Sequence, residues 1–377
     1  MAERRVVLVG YDGAPSKAFK EYLEPAFEAA GWKVETFVGY GKSIKGSREE
    51  IFTAVDRADI ALLGMSVPAK NASEEIAAAQ YAVKKGKPYG FYADTFGAAQ
   101  RPWFSHLRKD ARFLLVLDQE EADEAKRFYP HTTNIVVVGN HEFENASFPK
   151  FLRSEIRFKL GVRYDETLVV VPGHKSVPIS CFLLMGVVHA LNQSMFHYRK
   201  YRVIFTPHPG DNVSPQTYAE PILFTQVPVE IMEGGKRYVR GYVDDENLSE
   251  DERIQLKEED GGYSIFDLLP GAELMVESAS TFCMSAAILR VPVISVLTEV
   301  SKQRNVPVFG QREWKPVVKG IALETYGDIN MLGLLMIKAT TYDDTVRERQ
   351  IQLYPGFRER GEFARGVVRA LERFFSR

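Results

Sequence analysis

Thr167-Leu168-Val169-Val170-Val171-Pro172-Gly173-His174-Lys175-Ser176 is an apolar, β-branched run that breaks into a Pro-Gly loop. A short run of this kind, bounded by turn residues, reads as a strand buried on both faces. Apolar residues at helical spacing follow it, roughly from Ile179 to Leu191. The chain opens with the same pattern. Arg5 to Gly10 reads as a strand and Gly10-Tyr11-Asp12-Gly13 as a loop, after which Phe19, Tyr22, Leu23, Ala26, Phe27 and Ala30 recur at helical spacing. Gly31 stands where a helix C-cap glycine belongs. The pattern that starts at Arg5 therefore starts again at Thr167.

Strand-like runs fill the first half at Lys33 to Val38, Ile60 to Gly64, Tyr89 to Tyr92, Phe113 to Leu117 and Asn134 to Val138. Helical patterns separate them, around Arg48 to Arg57 and from Ser73, where Glu74 and Glu75 suit the first turn of a helix dipole. The second half continues with strands at Arg202 to Thr206, Leu274 to Val276 and Val293 to Leu297, with a helix at Phe282 to Leu289. Alternating strands and helices mark an α/β chain with parallel sheets. A length of 377 residues, at about 150 per domain, agrees with two domains. The expected division is residues 1–150 and 151–357, joined by the polar passage 139–164, with a last helix in 358–377 that packs back on the first domain.

Residues 211–262 break the rhythm. Val227 to Met232 and Arg237 to Val243 flank the turn Glu233-Gly234-Gly235-Lys236 and predict a hairpin. Positions 244–260 then hold nine acids against two basic residues. A charge run of this kind reads as a solvated surface insertion, the sharper alternative being a lid or partner arm.

Composition excludes several classes. A formal net charge of -2 argues against a strongly basic chain; it leaves room for a local basic patch, so nucleic acid is not indicated as a partner and is not ruled out. No apolar run reaches the length of a membrane span, and the apolar run at Val6 is too short for a signal-peptide core. Cys181 and Cys283 are the only cysteines, too few for a disulfide framework or a cysteine zinc site, and they point to a reducing, cytoplasmic setting. The Gly-x-Gly-x-x-Gly fingerprint, the Walker loop, the Gly-x-Ser-x-Gly elbow and the His-Glu-x-x-His helix are all missing.

Two stretches carry the chemistry. Phe205-Thr206-Pro207-His208-Pro209-Gly210-Asp211 ends a strand, and open α/β sheets bind ligands beyond the carboxyl ends of their strands. Prolines on both sides fix His208; the plain alternative is a loop histidine bonded to backbone. In Asp267-Leu268-Leu269-Pro270-Gly271-Ala272-Glu273-Leu274-Met275-Val276-Glu277-Ser278-Ala279-Ser280-Thr281, a strand ends at Glu277 and hydroxyls precede a helix. Ser278, Ser280 and Thr281 suit a phosphate or are ordinary caps. His174 and Lys175 follow the first strand of the second half, where amides and a cation would meet phosphates, or form an exposed polar turn. In the first half, Asp12 and Asp94 stand at strand ends and could serve as a general base; either could instead be a turn or N-cap aspartate. Asp94 is the stronger candidate, because Asp12 could be consumed capping the first helix, and because Phe96 and Trp103 near Asp94 could stack on a ring of the ligand. Arg101 and His106 could touch an anion, with a surface role as the plainer reading.

The order strand, His-Pro loop, Asp-Leu-Leu passage, strand, Ser/Thr-rich turn, helix and Val291-Pro292-Val293-Ile294 resembles the C-terminal half of GT-B glycosyltransferases. Within that group it looks most like the branch of UDP-N-acetylglucosamine 2-epimerases and polyol-phosphate transferases. Val136-Val137-Val138-Gly139-Asn140 with Phe143, then Leu160-Gly161, is similar to the interdomain passage of that superfamily. The resemblance implies two Rossmann-like domains facing across a cleft, a nucleotide-sugar donor (most often UDP-linked) and no required metal or other cofactor. It places His208 near the donor diphosphate, matches Ser278, Ser280 and Thr281 to the phosphate-binding turn and sets Glu277 where many relatives have Asp. His174 and Lys175 join this donor site by their strand-end position, and the acceptor, of unspecified kind with nucleic acid not excluded, falls on the N-terminal domain. Ser285 stands where many members have a ribose-holding carboxylate, and Arg290 where a glycine is usual. The epimerases' paired acids after two glycines are absent, so the implied activity is sugar transfer, with an epimerase or hydrolase, or a non-catalytic binding protein, as alternatives. No Asp-x-Asp motif stands at a strand end; Asp244-Asp245 lies in the acidic insertion.

Overall fold

The computed structural model describes residues 3–132, 134–193, 199–208, 213–223, 225–242, 254–303, 313–341 and 344–375. It divides into two compact units. The first takes in Met1–Glu144 and Phe357–Arg377; the second takes in Asn145–Gln303 and Glu313–Gly356.

In the first unit, β1 (Arg5–Gly10), β2 (Lys33–Val38), β3 (Ile60–Gly64), β4 (Tyr89–Tyr92), β5 (Phe113–Val116) and β6 (Asn134–Val137) form one sheet in the order β2-β1-β3-β4-β5-β6. Every neighbouring pair is parallel. The sheet is covered on both faces. Val7, Val9, Leu63 and Phe91 point into one apolar cluster and Val6, Leu8, Leu62 and Tyr92 into another. A sheet buried twice over needs apolar side chains at odd and even positions alike, which is why these strands read as unbroken apolar runs.

The helices carry the expected local signals. Ser47 and Glu50 close a capping box on helix 48–57, Asp118 caps helix 119–128 through the Glu121 amide, and Gly86 takes the left-handed conformation after helix 73–85. The C-terminal helix Glu362–Phe375 lies in the second cluster of this unit through Phe363, Val367 and Leu371. Glu144 fastens its start, accepting hydrogen bonds from the amides of Gly361 at 2.8 Å and Phe363 at 2.9 Å.

The second unit holds β7 (Glu166–Pro172), β8 (Lys200–Thr206), β9 (Val229–Glu233), β10 (Lys236–Tyr242), β11 (Ile254–Asp260), β12 (Leu274–Glu277), β13 (Val293–Val296) and β14 (Leu323–Thr325). Their order is β11-β10-β9-β8-β7-β12-β13-β14. The run from β9 to β14 is parallel, and β10 and β11 extend it antiparallel. The expected hairpin is present, and it docks on the main sheet through β9.

The described part of the acidic stretch is solvated as expected, with Gln255, Lys257, Glu258 and Asp260 exposed, and it is also ordered. Residues 254–260 form an edge strand paired with all seven residues of β10. An edge strand has one side open to water, so charged side chains cost it little and block further pairing. The rest of the stretch, including Asp244 and Asp245, lies outside the described residues. No helix among the described residues is long and apolar enough to cross a membrane.

Candidate functional site

In the second unit, the carboxyl ends of β7, β8 and β12 place most of the expected residues. β7 and β8 run in register, with Pro172 opposite Thr206. The Gly173 amide donates to the Thr206 carbonyl at 2.8 Å. A Cβ at Gly173 would stand 2.9 Å from the His208 backbone nitrogen, so only glycine lets the two loops approach this closely. Tertiary structure thus brings His208 beside the Gly173-His174 loop. Beyond them opens a cavity of about 530 Å³, bounded by His208, the hairpin turn at Gly234, and the rings of Tyr263, Phe266 and Phe282. Phe266 and Phe282 meet edge to face.

His174 turns back on its own loop. Its Nδ1 accepts from the Ser176 amide at 2.9 Å, and its backbone exchanges two 2.8 Å hydrogen bonds with the Ser180 hydroxyl. Lys175 next to it is exposed. Ser280 and Thr281 are half-buried, and Ser280 Oγ accepts from the Phe282 amide at 3.4 Å. Ser278 is 2% exposed, and its hydroxyl has no hydrogen-bond partner among the described residues. Ala279 between them sits at φ 54°, left-handed for a residue with a Cβ.

Glu277 differs from its expected place at the diphosphate. It is 0% exposed. Its carboxylate accepts from the Ser280 amide, the Ser295 hydroxyl and, at 3.1 Å, Trp314 Nε1. Burial pushes its pKa up to about 7 against those three hydrogen bonds. The carboxylate supports the turn from behind.

In the first unit, Asp12 and Asp94 are both half-buried beyond β1 and β4. Asp12 makes no side-chain cap on helix 13–17; its Oδ2 accepts from the Val67 amide at 2.8 Å instead. The expectation that helix capping consumes Asp12 is therefore wrong: the loop after β3 reaches the carboxylate first. Arg101, read from sequence as a surface residue, is 3% exposed. Burial lowers its pKa, while the charges of Asp94, Asp12 and Glu75 act to hold its proton.

Asp94 is raised to about 6, first by burial, with Arg101 opposing and Asp12 adding. Glu142, which follows β6, is raised to about 7 by burial and then by Asp94, with Lys17 opposing. Asn140 ties the two loops, its Nδ2 donating to the Asp94 carbonyl at 3.3 Å. Phe96 is fully buried and cannot stack on a sugar; Trp103 remains half-buried, its Nε1 donating to the Ser66 carbonyl at 3.2 Å. His106 is exposed, 3.2 Å from the Gln80 amide.

Sequence reading missed Glu75, Ser66, Glu142 and Trp314. Glu74 and Glu75 are identical as helix-start acids. Only the fold makes Glu74 a surface partner of Arg48 at 2.6 Å and Glu75 a fully buried carboxylate.

No family model matches the chain, and no curated protein sequence matches it. Solved structures do. A Listeria monocytogenes protein assigned as a UDP-N-acetylglucosamine 2-epimerase aligns at TM-score 0.65 and 12% identity, covering 100% of this chain and 97% of its own. S. aureus MnaA, solved with UDP, aligns at 0.62 and 11%, covering 99% and 97%. The UDP-GlcNAc 2-epimerase of Neisseria meningitidis, bound to UDP-GlcNAc, aligns at 0.60 and 10%, covering 98% and 100%. At such identities the likeness is one of fold. The fold is that of two Rossmann-like domains of the GT-B kind, in the form found in UDP-GlcNAc 2-epimerases.

Proposed function

We propose that this chain is an enzyme acting on a UDP-linked sugar, and that it inverts a sugar carbon rather than transferring the sugar. The observation that carries this reading is the group of carboxyls in the first unit, with Asp94 raised to about 6 and Glu142 to about 7. Inverting C2 breaks its C–H bond; the electron pair forms a C1–C2 double bond as UDP leaves C1. Re-adding UDP at C1 with a proton on the opposite face of C2 completes the inversion, which asks for groups that hold and release protons near neutral pH. The epimerase structures match the chain over nearly its whole length, which supports the same reading. In the second unit, His208 and Lys175 would face the diphosphate, and the aromatic wall of the cavity would take the base.

Sugar transfer is the second reading, favoured by the absence of paired acids at the start of helix 282–288. One experiment separates the two. The protein is incubated with UDP-GlcNAc in D2O and followed by proton NMR, with and without candidate acceptors. Loss of the C2 proton signal and growth of the C2 epimer support inversion. UDP release that needs an acceptor, with the C2 proton intact, overturns inversion in favour of transfer. Neither signal, and no UDP binding in calorimetry, overturns both.

A further inference from the structure

Beneath Asp12 lies a hydrogen-bonded pair that the acid–base chemistry proposed above does not use. Ser66 and Glu75 are both 0% exposed. Glu75 Oε2 accepts from the Ser66 amide at 2.9 Å; its Oε1 accepts from the Ser66 hydroxyl at 2.7 Å and the Tyr11 amide at 3.1 Å. Ser66 Oγ in turn accepts from the Asp12 amide at 2.9 Å. The Asp12 carboxylate closes the ring by accepting from the amide of Val67, the next residue after Ser66. The loops after β1 and β3 are thus stitched together through one carboxylate.

All three groups that approach Glu75 are donors. Burial raises the Glu75 pKa to about 7 while the bonds from Ser66 and Tyr11 oppose the rise. The ionised carboxylate is acceptor-only and fits all three donors, whereas a glutamine would set its NH2 against an N–H. Burying a carboxylate is costly unless it is paired and hydrogen-bonded, so its place here calls for a role that an apolar residue could not fill. Side-chain exposure indicates that role. Ser66 and Glu75 are closed off, while the Asp12 they hold is half-open and within electrostatic reach of Asp94 and Arg101.

We infer that Glu75 and Ser66 are positioning residues that fix Asp12 as a further acid–base group of the first-unit site, alongside Asp94 and Glu142. The inference rests on the proposed function, since it adds Asp12 to the carboxyls, Asp94 and Glu142, of a reaction that moves a proton between two faces of a carbon.

The test compares Ser66→Ala, Asp12→Asn and Asp94→Asn with the two double variants that contain Ser66→Ala, reading deuterium entry at C2 of UDP-GlcNAc. Ser66→Ala should lower kcat by about 10²-fold, the cost of a small misplacement, with KM nearly unchanged. It should cost nothing further on top of Asp12→Asn and should multiply the loss of Asp94→Asn. A full additional loss on top of Asp12→Asn, or a wild-type rate in Ser66→Ala, overturns the inference. Amide hydrogen exchange decides the clamp without activity: Val67 should exchange about tenfold faster in Ser66→Ala, the loss of roughly one hydrogen bond. Unchanged Val67 protection overturns the clamp. If the wild-type protein leaves C2 untouched, the proposed function fails and the Val67 measurement still judges the clamp. Should Ser66→Ala not fold, Ser66→Cys and Glu75→Gln carry the same comparisons.

Discussion

His208 and Glu277 show how differently two polar residues at strand ends of the second unit can be used. His208 borders the cavity, so His208→Ala should weaken UDP binding by about ten- to hundredfold, the worth of a charge-assisted hydrogen bond of roughly 1.5–3 kcal/mol. Thermal stability should barely move, and titration calorimetry together with a melt checks both. Glu277 is buried, and its test is stability against pH. Its folded pKa of about 7 lies above the ordinary carboxyl value of 4.5. The folded state therefore holds the proton more tightly, and its contribution to stability is full below about 4.5 and lost as pH rises to about 7. His141 works in the other direction: buried and held down to about 3, it contributes above its ordinary 6.5, and the contribution is lost as pH falls toward 3. Urea melts between pH 4.5 and 8 should show a flatter decline for Glu277→Gln than for the native chain. An unchanged slope would mean that Glu277 does not titrate in that window.

At the scale of elements, the antiparallel extension β9–β11 shapes the second-unit cavity. Its turn Glu233–Gly235 forms part of the cavity wall. Gly262 locks the returning chain against that turn: its amide donates to the Gly235 carbonyl at 2.8 Å, and a Cβ there would stand 2.1 Å from the Lys236 carbonyl oxygen. Backbone cannot yield to such a contact without moving the turn. Gly262→Ala should cost about 1–3 kcal/mol and weaken UDP binding at the same time. Denaturant melts and calorimetry on the same sample test this, and loss of stability with full affinity would separate the extension from the site. The helix 13–29 carries a local irregularity too, a π-helical segment at Ala18–Leu23. Such segments often stand near functional sites, and this one begins after the short α-helical stretch Gly13–Lys17 that follows Asp12.

For the whole molecule, the last helix closes the first unit, and the core it completes is separate from that of the second. Phe363 is fully buried in it and packs against Tyr92 and Tyr22. Phe363→Ala should cost about 3–5 kcal/mol. In scanning calorimetry the loss should fall on one of two transitions, the one reporting the first unit. A single transition that shifts as a whole would show that the units melt together.

The amino-acid sequence by itself determined the α/β class, the restart at Thr167 and nearly every central strand, because a parallel sheet buried on both faces demands runs such as Val6–Val9 and Leu168–Val171 that few other structures need. It also marked the hairpin and the strand-end loops holding His208, His174, Asp12 and Asp94. It did not mark β11, whose Glu258, Glu259 and Asp260 look like any solvated acidic stretch until an edge position is assigned to them. Nor did it separate Glu75 from Glu74, or show that Arg101 is buried. Those distinctions belong to tertiary structure, because helix spacing places an acid on a face but does not say what packs against that face. Which carboxyls keep their protons near neutral pH was decided the same way, by burial and by charges brought together from loops more than fifty residues apart, as those of Asp12 and Asp94 are.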